Sequence, residues 1–126
     1  MSRALDRLLR GEFPDPRTGE PLPVPIRSIV MEPSLSGREP ELVSALGLGR
    51  TLAVVSDPQT EEALGSRVKR ALGGSARLLT VALPSRPHPD QATAEAIRQA
   101  GQEADAFVAV GSGTINDLCK HAAAGA

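Results

Sequence analysis

The chain is nearly devoid of aromatic residues. Tryptophan and tyrosine are absent, and only Phe13 and Phe107 represent the class. Stacking platforms for successive nucleic-acid bases are therefore excluded. Charge adds nothing in that direction. Lys+Arg 14 against Asp+Glu 15 leave a formal net charge of -1, far from the basic footprint of a nucleic-acid binder. A single cysteine, Cys119, excludes an internal disulfide and suits a reducing compartment. No apolar run reaches membrane-spanning length, and the opening Met-Ser-Arg-Ala-Leu-Asp lacks the apolar stretch of a signal peptide. The expectation is a cytoplasmic protein that binds neither nucleic acid nor membrane. The only histidines, His88 and His121, lie far apart without an acidic cluster at ligand spacing, so no metal site is expected in this chain.

What is present is an ordinary globular composition: 126 residues, 40% apolar, enough for one modest domain with a core. Residues 2–10 set Leu5, Leu8 and Leu9 on one face, which predicts a short amphipathic helix. From Phe13 to Pro25 the prolines 14, 16, 21, 23 and 25 predict an extended arm with little regular structure, suited to wrapping the domain or touching a partner. Residues 26–31 read as a strand. Ser36 and Glu39 have capping-box spacing, which predicts a helix over 37–46 ended by Gly47 and Gly49.

Alternation then sets in. Thr-Leu-Ala-Val-Val-Ser at 51–56 is a continuous apolar strand, the pattern of a strand covered on both faces. Asp57-Pro58 opens a helix to about Leu72, which Gly73-Gly74 stops. Residues 77–83 form the next strand. Asp90 caps a helix that ends at Gly101, residues 106–110 are a third strand, and a helix opens at Thr114. Strands alternating with helices over short connections define an α/β fold with a Rossmann-like parallel sheet. Ligands of such sheets sit beyond the carboxyl ends of the strands. The last helix is still running at His121-Ala-Ala-Ala, which predicts one domain of a longer protein, although Gly125 can serve as its C-cap.

Two features fall at strand ends. Gly111-Ser112-Gly113-Thr114 joins a strand to a helix, where small residues and unpaired first-turn amides can cradle a pyrophosphate. The same residues also read as a tight turn with Thr114 as N-cap and Asp117 at N3, with no ligand involved. The spacing is not Gly-x-Gly-x-x-Gly, and it follows the third strand of the unit, unlike a conventional dinucleotide fingerprint. Asp57 can accept hydrogen bonds from ribose hydroxyls, or it can simply be an N-cap before Pro58; the two roles are compatible. Lys120 either reaches a ligand or faces solvent. Cys119, in Ala-rich surroundings, reads as a small packing residue. Ser112 lies outside any nucleophile-elbow motif.

Val54-Val-Ser-Asp-Pro-Gln-Thr60 and Val110-Gly-Ser-Gly-Thr-Ile-Asn-Asp-Leu-Cys-Lys120 resemble segments of the glycerol-1-phosphate dehydrogenases. These belong to the superfamily of iron-containing alcohol dehydrogenases, glycerol dehydrogenases and dehydroquinate synthases. The wider superfamily carries Gly-Gly-Gly-Ser-x-x-Asp-x-x-Lys where this chain has Gly-Ser-Gly-Thr-x-x-Asp-x-x-Lys. The chain thus divides into an N-terminal helix and proline-rich arm over 1–25 and an α/β domain over 26–126, which the resemblance implies binds NAD(P). A helical metal domain would follow, and it is absent here. By motif match Asp57 would bind the adenosine ribose, and Gly111, Ser112, Gly113, Thr114 and Ile115 would hold the pyrophosphate. Asp117 and Lys120 would lie where nicotinamide and substrate meet.

The implied cofactors are NAD or NADP and a divalent metal (zinc, iron or nickel) held by an Asp and two His of the missing domain, where it would act as a Lewis acid. No catalytic residue is expected in this chain, and the chain alone is expected to be inactive. The implied substrate is a small phosphorylated polyol, with glycerol 1-phosphate and dihydroxyacetone phosphate interconverted; a homo-oligomer is compatible with the Ala-rich helices. Asp57 implies a preference against NADPH, because its charge would repel a 2′-phosphate. A dehydroquinate synthase-like lyase and a non-catalytic nucleotide-binding α/β module are the competing readings.

Overall fold

Three apolar runs line up side by side in an all-parallel sheet. Strands β1 (Thr51–Ser56), β2 (Arg77–Ala82) and β3 (Ala106–Ala109) take the order β2-β1-β3. The computed structural model describes residues 6–7, 9–12, 14–21 and 26–125. They fall into two compact units, Met1–Leu35 and Ser36–Ala126.

The second unit holds the sheet and its helices. Helix α1 is Glu39–Ser44. Helix α2 runs without a break from Pro58 to Leu72 as an α turn Pro58–Thr60, a π-helical segment Glu61–Gly65 and an α segment Ser66–Leu72. Helix α3 is Gln91–Ala100 and α4 is Gly113–Ala124. Side chains of a strand alternate between its faces. Leu52 and Val54 of the central strand accordingly pack with Val68 and Leu72 of α2, whereas Ala53 and Val55 pack with Ile97 of α3 and Ile115 and Leu118 of α4. Burial on both faces explains why β1 is apolar throughout.

Local signals translated well where they are self-contained. Asp90 caps α3 by accepting from the Thr93 amide at 2.8 Å, and Gly101 is its C-cap. Asp57 caps α2 and Gly125 ends α4. Four expectations are corrected. Residues 26–31 form no strand: no described segment pairs with them, and Ile26 and Met31 stand 43% and 73% exposed. A strand exists by virtue of its ladder partner, which a residue pattern does not supply.

Residues 14–21 are not extended. Pro14 and Pro21 form an antiparallel bridge, and the Asp15 carboxylate accepts from the Arg17 amide while Gly19 (φ 74°) turns the chain back. The expected capping box at Ser36 gives way to a start at Glu39, with Arg38 as N-cap without a side-chain cap; Pro40 in the first turn sets the start. Helix α4 opens at Gly113, one residue before Thr114, with Ser112 as N-cap. Of the helix expected over 2–10, Asp6, Arg7 and Leu9 are helical, and residues 1–5 and 8 lie outside the described residues.

Candidate functional site: the crevice between β1 and β3

The sheet order creates the site. The helix after β1 covers one face and the helix after β3 covers the other. Diverging connections leave a crevice beyond the carboxyl ends of those two neighbouring strands. Val55 pairs with Ala109. Continued for two residues, that register sets Asp57 opposite Gly111, and the Val110 amide donates to the Val55 carbonyl at 2.9 Å just below. The two features read separately from the sequence therefore flank one crevice.

Asp57 is 8% exposed. Its Oδ1 accepts from the Thr60 amide at 2.8 Å, and its own amide donates to Thr60 Oγ1 at 2.9 Å, a reciprocal capping box. Oδ2 takes no hydrogen bond from the described residues. The capping role is real, and it occupies one carboxylate oxygen of two.

Across the crevice, Gly111 has φ 148°, a backbone state that glycine adopts freely. A Cβ there would meet Ile115 Cδ1 at 2.7 Å and Thr60 Cγ2 at 2.8 Å. Ser112, the N-cap of α4, makes no side-chain cap, and no acidic residue occupies the first turn. The first intrahelical bond runs from the Asn116 amide to the Ser112 carbonyl at 3.1 Å, so the amides of Gly113, Thr114 and Ile115 precede the ladder. Thr114 and Asp117 lie within the helix and do not cap it. A Cβ on Gly113 would meet nothing within 4 Å, so open space faces the helix end. Ile115 is fully buried. An uncapped helix end with a bare glycine at its mouth fits a phosphate group.

Asp117 and Lys120 lie further along α4. With Asp90, Gln91, Leu118 and His121 they line a cavity of roughly 330 Å³ between α3 and α4. Asp117 and Lys120 both lie within the helix. The hydrogen bonds from Thr93 hold the Asp90 carboxyl at the rim below its ordinary range. Cys119 points away into the core at 5% exposure, and burial pushes its thiol up to about 11. That thiol is a packing group, not a nucleophile at neutral pH. Among the described residues no group of three or more His, Cys, Asp or Glu is placed to hold a metal ion.

Sequence reasoning missed Thr60 and Glu61. The Glu61 carboxylate accepts from Ser56 Oγ at 2.8 Å and Ser66 Oγ at 3.1 Å, and pairs with Lys69 at 2.6 Å. The bond from Lys69 and then that from Ser56 hold its carboxyl below the ordinary range. This network sits in the π-helical segment and crosses Gly65, whose missing side chain leaves room for the Glu61 carboxylate. A Thr three residues after an Asp-Pro start was the available signal for Thr60; nothing local marks Glu61.

A three-stranded parallel sheet with its loops converging on an uncapped helix end defines a Rossmann-like α/β domain. The chain belongs to the iron-containing alcohol dehydrogenase family, whose description matches residues 30–126. Its class is thereby that of metal-dependent, alcohol dehydrogenase-like oxidoreductases, which typically use NAD(P) and iron or another divalent metal. No curated protein and no solved structure matches the chain.

Proposed function

We propose that this chain is the NAD(P)-binding part of a glycerol-1-phosphate dehydrogenase, interconverting glycerol 1-phosphate and dihydroxyacetone phosphate in the complete protein. The observation that carries the reading is the placement of Asp57 and the Gly111 turn on either side of one crevice. Support for the finer substrate comes from Gly-Ser-Gly-Thr-x-x-Asp-x-x-Lys at 111–120, the variant that resembles this branch of the family.

In this reading the amides of Gly113, Thr114 and Ile115 donate to the pyrophosphate, where the helix end favours negative charge. Asp57 Oδ2 accepts from a ribose hydroxyl. Ser112, lacking a capping bond, would donate its hydroxyl to a phosphate oxygen. Asp117 and Lys120 face the cavity where a phosphorylated polyol would meet the nicotinamide. The bound nicotinamide supplies the hydride chemistry, and the chain's own residues bind and orient it. A divalent metal would be held by a further helical domain of the complete protein.

The test is a fluorescence titration of this chain with NADH and NADPH, with Asp57→Ala alongside. Saturable NADH binding is expected, weakened about tenfold in the variant, which is about 1.4 kcal/mol. NADPH should bind the parent chain more weakly than NADH, and Asp57→Ala should narrow that gap, because the carboxylate repels a 2′-phosphate. Equal NADH affinity in the parent chain and the variant sinks the role given to Asp57.

A further inference from the structure

We propose that Thr60 is a positioning residue that couples ribose recognition to phosphate recognition; the inference rests on the nucleotide-binding reading above. Thr60 touches both sides of the crevice with different atoms. Its amide donates to Asp57 Oδ1 at 2.8 Å, and its Oγ1 accepts from the Asp57 amide at 2.9 Å. Oγ1 also donates to the Asp57 carbonyl at 3.4 Å. These bonds fix the Thr60 rotamer. With Oγ1 committed to Asp57, the Cγ2 methyl is aimed at Gly111, 2.8 Å from where a Cβ on that residue would stand, with Thr60 Cβ itself at 3.3 Å.

The fit is specific to this side chain. Only a β-branched residue with one hydroxyl and one methyl occupies both positions at once, because the two groups leave the same carbon in fixed directions. Serine keeps the hydroxyl and loses the seat against Gly111. Valine keeps a methyl and leaves the buried Asp57 amide without its acceptor. Gly111 lies in the turn that leads into the Gly113–Ile115 amides, so a shift at Asp57 reaches that turn through one side chain. A ligand that engages Asp57 and one that engages the turn therefore bind with coupled free energies.

The test uses this chain with Thr60→Ser and Thr60→Val, each alone and combined with Asp57→Asn. Thr60→Ser is expected to remain folded and to bind NADH about tenfold more weakly. The cost of Asp57→Asn on NADH affinity should shrink in the Thr60→Ser background. Amide NMR supplies a readout without ligand: Asp57→Asn should move the Gly111 and Gly113 resonances in the parent chain and leave them in place in Thr60→Ser. Parent-like NADH affinity in Thr60→Ser, strict additivity, or unchanged propagation to Gly111 overturns the role of Thr60 alone. Failure of the parent chain to bind NADH overturns the nucleotide reading and this role with it.

Discussion

Gly111 and Gly113 stand two residues apart, and their surroundings make opposite demands. Alanine at 111 must adopt φ 148° and push its Cβ into Ile115 and Thr60. We expect Gly111→Ala to cost about 1–3 kcal/mol from backbone strain, with the clash in addition, read from the urea midpoint. Alanine at 113 meets open space, so Gly113→Ala should change stability by less than about 1 kcal/mol. Its NADH affinity should nevertheless fall, since the new methyl projects into the space proposed for the phosphate. Cys119 makes a different residue-scale statement. Its proton is held from the ordinary 9.0 up to about 11. Below pH 9 the folded and unfolded chains both keep it; between 9 and about 11 the unfolded chain loses it first. Stability from this residue therefore declines as pH rises through that window, by at most about 1.4 kcal/mol per unit. Denaturant titrations at pH 8 to 11 should show Cys119→Ala flattening that decline.

At the scale of elements, α2 is the distinctive one. Its π-helical segment coincides with the Glu61 network, which ties the end of β1 to the second half of the helix through Ser56, Ser66 and Lys69. A carboxyl held low when folded contributes stability above its ordinary value of 4.5 and loses it as pH falls below 4.5 through its lowered folded value. Glu61→Gln should thus be less stable than the parent chain at pH 7, with the gap closing below about pH 4.5 in thermal melts. The legibility of each element followed the range of the forces behind it. Asp57-Pro58, Asp90 and Gly101 announce helix ends because capping acts within a turn or two. The run 51–56 announced a doubly covered strand because burial acts on every residue of it. Ile26–Met31 misled because pairing comes from elsewhere in the chain. The π segment was hidden because Glu61 reaches outside its own turn to Ser56, and the Thr60–Gly111 contact was hidden because it joins residues far apart in sequence. Asp57 and Gly111 were each visible as candidates; their shared crevice was a property of sheet order.

For the whole molecule, the central sheet separates two apolar layers. Leu72→Ala empties one layer and Ile97→Ala the other, and each should cost about 2–5 kcal/mol. Because the layers share no side-chain cavity, the double variant should equal the sum within about 0.5 kcal/mol in urea unfolding. The strand register has a further consequence, in time. Thr51 pairs with Arg77, 26 residues on, whereas Leu52 pairs with Ala106, 54 residues on. Doubling the loop raises the entropy of closure by only about 0.6 kcal/mol, so the second pairing is delayed less by thermodynamics than by supply. At ribosomal rates of about 5–20 residues per second, β3 emerges roughly 1.5–6 s after β2. A nascent chain can therefore dock β2 on β1 while the other side of β1 is still bare. Asp57 is then set in its capping turn before the glycine turn that will face it has been synthesised.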